Sequence, residues 1–153
     1  MENKYPYEIT EYYSPALNSL KRIYTQHPDF NGNVRLIYEL LFDHFNPNYG
    51  YAWPTIPQLA IESGLGESTV KRCIATLVKL ELIKKQPSSV ANNNVYVPLK
   101  PVTTIEELIA KFPEVKPHME TRIARIKERE ATDKQRLGAK KQTEVDPFDP
   151  EWL

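Results

Sequence analysis

Cysteine is almost missing: Cys73 stands alone in 153 residues. That excludes an internal disulfide and any cysteine-based metal framework. Long apolar runs are missing as well, and no segment approaches the ~20 residues that a membrane helix needs. The opening MENKYPYEIT has neither the basic start nor the apolar stretch of a signal peptide, so a cytoplasmic protein with no membrane partner is expected. A phosphate-cradling Gly-rich loop and a paired-carboxylate arrangement are also absent. His27, His44 and His118 are scattered without ligand spacing and read as surface or turn residues. Cys73 has no His or Asp beside it in sequence and reads as a small buried hydrophobe. No enzyme, no metal and no cofactor is expected.

An excess of charge of one sign is lacking too, with 20 basic against 20 acidic residues. The distribution is more informative than the sum. Residues 31–100 carry seven basic and five acidic groups, and residues 116–141 carry nine and four. Residues 142–153 hold four acids and no base, so a basic stretch precedes an acidic tail. At this length one compact domain with extensions is expected.

What is present is a run of helix signals. Ser14-Pro15 predicts a helix start, continuing to about Gln26, with Ala16, Leu17, Leu20, Ile23 and Tyr24 as one apolar stripe. Gly32-Asn33 restarts the pattern as a helix from Val34 to about Phe45, with Val34, Ile37, Leu40, Leu41 and Phe45 facing the core. After the turn residues 46–50, Tyr51-Ala52-Trp53 reads as a short extended piece with Trp53 in the core. Thr55-Ile56-Pro57-Gln58 fits a capping box and predicts a short helix to about Ser63. Gly64-Leu65-Gly66 breaks it. A helix from Glu67 to Leu80 follows, with Val70, Cys73, Ile74 and Leu77 inward. Beyond Glu81 the pattern turns extended: Leu82 to Gln86, a polar turn from Pro87 to Asn94, then Val95-Tyr96-Val97, a β-hairpin in which Tyr96 packs.

The C-terminal third is weaker. Thr103 or Thr104 caps a short helix through Lys111, with Ile105, Leu108, Ile109 and Phe112 as its apolar side and Pro113 as its stop. Residues 117–136 have helix-forming composition, but Met119, Ile123 and Ile126 are too few to anchor a helix to a core. Residues 137–153 are expected to be a disordered acidic tail unless a partner orders Phe148 and Trp152.

Trp53-Pro54-Thr55-Ile56, Leu59-Ala60, Gly64-Leu65, Ser68-Thr69-Val70, Arg72, Leu77 and Leu82-Ile83 resemble the winged helix-turn-helix domains of plasmid and phage replication proteins and related bacterial regulators. The departure is Gly66, where such domains commonly place Ser as the recognition-helix cap; Gly costs only a few tenths of a kcal/mol there. The resemblance implies a mainly α fold with a small β-hairpin wing. Its parts are an N-terminal extension at 1–30 with a possible dimerisation role, a winged helix at 31–100, a helical extension at 101–136 and the tail at 137–153.

The residue reading reaches the same function. A helix starting at Glu67 with an uncovered outer face fits a major groove. Its outward residues are Glu67, Ser68, Lys71, Arg72 and Ala75, with Thr69 and Thr76 at the margins. Arg72 is the base-reading candidate, because its forked donors match guanine, while Lys71 suits phosphate. Lys84 and Lys85 at the root of the wing and Asn92, Asn93 and Asn94 at its tip suit backbone or minor groove. The expected partner is double-stranded DNA. A homodimer is expected through the stripe and the tyrosines of residues 1–30, and Phe148 and Trp152 are candidates for a protein contact. A transcriptional regulator is favoured narrowly over a replication-initiation or replisome-organising protein, with a protein-binding winged-helix adaptor as the third reading.

Overall fold

In the computed structural model the chain is described over residues 4–88 and 93–140. Asn92 in the wing and Phe148 and Trp152 in the tail lie outside the described residues. The order of elements is a π turn at Ser19–Ile23, a 3-10 turn at Tyr24–Gln26, α1 at Gly32–His44, α2 at Ile56–Ser63, α3 at Glu67–Lys79, β1 at Ile83–Pro87, β2 at Asn94–Pro98, α4 at Ile105–Lys111 and α5 at Val115–Lys140.

The first predicted helix is corrected. Ser14-Pro15 starts nothing, Ala16 is exposed, and only a π turn and a 3-10 turn form, from Ser19 to Gln26. Leu20 and Tyr24 are buried in the same core as α1 and α3, with Leu17 and Ile23 packed against it. This stripe is therefore spent on the chain's own core and is not a free face for a second copy, whereas Tyr5, Tyr7, Tyr12 and Tyr13 remain exposed.

α1 begins where Asn31 Oδ1 accepts from the Val34 amide at 3.0 Å, satisfying one of the unpaired donors of its first turn. It buries Val34, Ile37, Tyr38 and Leu41. Phe45, predicted for the core, is half-exposed at the helix end, and Tyr38 takes a place the sequence reading left out. At α2 the capping prediction holds for its first half: Thr55 Oγ1 accepts from the Gln58 amide at 3.1 Å. Gly64 ends α2 at a φ of 74°, a left-handed conformation open to glycine without a Cβ penalty.

α3 ends in a Schellman turn. The Leu82 amide reaches back to the Leu77 carbonyl at 2.9 Å and the Glu81 amide to that of Val78 at 3.1 Å, with Leu77 and Leu82 both fully buried as the apolar clasp. Glu81 holds the left-handed position at a φ of 56° without being glycine. Its ion pair to Lys111, 3.5 Å between exposed side chains, offsets little of that strain.

The hairpin pairs antiparallel, with Ile83 opposite Pro98 and Lys85 opposite Tyr96. A third piece joins it: Ala52 and Tyr96 exchange two backbone hydrogen bonds of 2.8 Å each, so the connection between α1 and α2 is stitched to β2. Ala52, not Trp53, points inward. Because side chains alternate along extended backbone, Tyr51 and Trp53 share the other side, where Trp53 meets both Tyr49 and Tyr51 edge-on. Trp53 is 44 % exposed, which corrects its assignment to the core.

Two buried tyrosines fasten the segment after the wing. The Tyr38 hydroxyl donates to the Leu99 carbonyl at 2.8 Å, and the Val102 amide donates to the Tyr24 hydroxyl at 3.0 Å. Burial pushes Tyr38 up to about 12 and also raises Tyr24. A phenol whose folded value is raised favours folding while neutral. That contribution is complete below the ordinary value of 10.0 and is lost as pH rises from there toward about 12. Chemical denaturation across this range should show falling stability, and the Tyr38→Phe variant should show a shallower fall. Equal slopes in the two proteins would remove Tyr38 from the account.

His27 is a second correction, since it is buried and not a surface residue. Its Nδ1 accepts from the Asp29 amide at 3.0 Å. Nε2 therefore carries the proton and donates to Glu114 Oε1 at 3.1 Å. The ring also meets Phe112 edge-on. With α4 capped by Thr104, whose Oγ1 accepts from the Glu107 amide at 3.2 Å, His27 ties the C-terminal extension to the loop before α1. His118 adds a bond from Nδ1 to the Gln26 carbonyl at 3.2 Å, while His44 meets Glu62 at the surface.

Candidate nucleic-acid interface

Three helices, α1, α2 and α3, close around Leu41, Leu59 and Leu77, and the hairpin follows α3 directly. This is a winged helix-turn-helix, and its form decides which side of α3 is free. Val70, Cys73, Ile74 and Leu77 are buried against α1 and α2. Glu67, Ser68, Lys71, Arg72 and Ala75 are exposed and Thr69 and Thr76 are half-buried at the edges, the distribution predicted from helical spacing. Burial raises the Cys73 thiol above its ordinary value, as befits a packing residue.

Arg72 does not stand free in the unbound protein. One of its guanidinium nitrogens donates to Thr69 Oγ1 at 3.2 Å, and the Thr76 hydroxyl donates back to the Arg72 carbonyl at 3.0 Å. These three residues share a surface cleft of about 270 Å³ with Asn31 and Asn33 at the start of α1. The two asparagines were not singled out from the sequence: they are close to Arg72 only through the packing of α1 on α3. Gly66 supplies no side-chain cap, which leaves the first-turn amides of α3 without an internal acceptor, available to solvent or to an anion.

The far end of α3 is held down. Lys79 Nζ donates to Asp29 Oδ2 at 2.6 Å, and this bond lowers the Asp29 carboxyl below its ordinary value and raises Lys79 above its own. Lys79 is thereby engaged with the scaffold, whereas Lys71 and Arg72 carry no acidic partner among the described residues.

On the wing, Lys84 and Lys85 are exposed on β1. Asn93 and Asn94 are not tip residues. The Asn93 carbonyl accepts from the Ser88 amide at 2.8 Å. Asn94 opens β2 opposite Pro87, and its side chain bonds the buried Tyr96 hydroxyl, whose value burial raises. Both asparagines are half-buried, and their work in the free protein is to close the hairpin.

Among the described residues no helix is long and apolar enough to cross a membrane. No curated protein matches the sequence. Among solved structures, the chain is similar to that described as the crystal structure of RV1404 from Mycobacterium tuberculosis, at 21 % identity, with 84 % of this chain and 83 % of that one covered and a TM-score of 0.41. The model of a family described as a helix-turn-helix domain matches residues 30–83, from the loop before α1 to the first residue of the wing. Residues 30–83 are thus similar in sequence to a helix-turn-helix domain and have its fold, which supports DNA binding.

Proposed function

We propose that the protein binds double-stranded DNA in a sequence-specific manner and acts as a transcriptional regulator. The observation that carries this reading is the outer face of α3. It presents Ser68, Lys71, Arg72 and Ala75 to solvent on a helix whose other side is locked into the core. A major groove admits one helix and displays a distinct donor and acceptor pattern for each base pair. Arg72 leaves Thr69 to read guanine, Lys71 meets phosphate, and Lys84 and Lys85 reach the flanking backbone from the wing.

The division of labour is testable by binding-site selection on variants. Arg72→Ala should cost about 1–3 kcal/mol and relax the preference at one base position. Lys85→Ala should weaken all sequences alike and lower the salt dependence by about one counterion. An unchanged preference in Arg72→Ala would sink the assignment of that residue. Failure of the wild-type protein to bind any duplex would sink the function.

A further inference from the structure

α5 runs for 26 residues, about 39 Å at the ordinary rise per residue, and only its base is held. Val115 is fully buried and His118 bonds Gln26, but beyond residue 119 every described side chain is exposed. A helix that is polar around most of its circumference needs either many ion pairs at four-residue spacing or a partner. Among the described residues, α5 has a single such pair, Lys134 with Glu130 at 3.7 Å.

Its surface chemistry is strongly divided. His118, Arg122, Arg125, Arg129 and Arg136 recur at spacings of four, three, four and seven, which places them within about 60° of the helix circumference. No acidic residue falls inside that strip, although Glu128 and Asp133 border it and line one surface hollow with Arg125, Arg129 and Arg136, and Glu120 lies on the far side. None of the four arginines has an ion pair or hydrogen bond among the described residues. From Arg122 to Arg136 the strip extends about 21 Å.

The neighbouring apolar stripe of Met119, Ile123, Ile126 and Leu137 is broken by Glu130 and Asp133, which fall in the same row. It therefore cannot form the continuous seam by which two such helices would pair, and it is too interrupted for a lipid surface. A row of guanidinium groups that forms no ion pair among the described residues matches instead the regularly spaced phosphates of a nucleic-acid backbone.

We infer that the arginine face of α5 is a second DNA-contacting surface, which holds the phosphate backbone without reading sequence and adds to the grip of α3. The inference rests on the proposed function for the choice of duplex DNA as the polyanion. In its division of labour α3 and the wing select the site, while α5 supplies affinity for any sequence and most of the response to salt.

The test uses the full chain and a random-sequence duplex of about 30 base pairs, titrated between about 50 and about 200 mM salt. The variant carries Arg122→Gln, Arg125→Gln, Arg129→Gln and Arg136→Gln together; glutamine is a comparable helix former, and circular dichroism checks that α5 persists. The slope of log affinity against log salt should fall by about 3 to 4, so that the wild type loses on the order of 100-fold more affinity than the variant across that range. The matching four-lysine variant should keep the slope, and Lys127→Gln with Lys134→Gln, away from the strip, should lower it by less than half as much. Equal slopes for the wild type and the four-glutamine variant overturn the inference. Lys71→Ala with Arg72→Ala separates the two claims: if it abolishes site preference while the four-glutamine variant changes nothing, the proposed function stands and the role of α5 falls. If only the four-glutamine variant loses affinity, the role of α5 stands and the reading of α3 falls.

Discussion

Leu77→Ala is expected to cost about 3–5 kcal/mol of folding stability, in the upper part of the range for emptying a rigid, fully buried leucine site. Leu77 has no exposed surface and sits on α3 where α1, α2 and the Schellman turn converge. The backbone bond from Leu82 to its carbonyl survives the substitution, but the clasp between the two leucines does not. Because the site is bounded by three helices and the start of the wing, it cannot collapse by moving one side chain. A small domain has only about 5–15 kcal/mol to lose. The measurement is a denaturant midpoint at unchanged slope, and a loss below about 1 kcal/mol would mean that the three-helix core closes differently from the packing described above.

The second large effect concerns binding and leaves folding alone. Ala75 is exposed near the centre of the outer face of α3, so Ala75→Glu changes stability by no more than about 0.5 kcal/mol. Set into a groove walled by phosphates, the new carboxylate faces like charge in a partly desolvated space, a juxtaposition that costs several kcal/mol. Duplex affinity should drop by about 100-fold or more. Ala75→Lys should retain binding while eroding discrimination between sequences. Wild-type affinity in a folded Ala75→Glu protein would show that α3 does not enter the groove.

How much of this was legible follows from the range over which each signal acts. The outward and inward sets of α3 depend on helical spacing and on neighbours three and four residues away, and both appear as expected. The Thr55 and Thr104 caps are local in the same sense. Ser14-Pro15 is equally local in appearance, yet the apolar residues after it are captured by α1 and α3 in a π turn followed by a 3-10 turn, and tertiary packing overrides the helix-start signal. Trp53 fails for a different reason. Its size suggested the core, while the alternation of an extended segment, fixed by the pairing of Ala52 with Tyr96, turns it outward. His27 was beyond reach because its burial depends on Phe112 and Glu114, more than eighty residues along the chain. The site divides in the same way: Lys71, Arg72 and Ala75 are read from one helix, but the proximity of Asn31 and Asn33 to Arg72 exists only after two helices have packed.

The solitary cysteine gives this fold a chemical clock. Cys73 is buried on the inner side of α3, where it lines the cleft it shares with Arg72, Asn31 and Asn33, and its thiol is held above the ordinary range by burial, so a thiol reagent reacts with it mainly in molecules where α3 has lifted from α1 and α2. With no second thiol in the chain to confuse the signal, the modification rate counts those openings directly. On the proposed function, a duplex seated on α3 should slow the clock, both by stabilising the closed domain and by covering the cleft that Cys73 lines. Engagement of DNA would thereby be recorded at the single thiol of the chain.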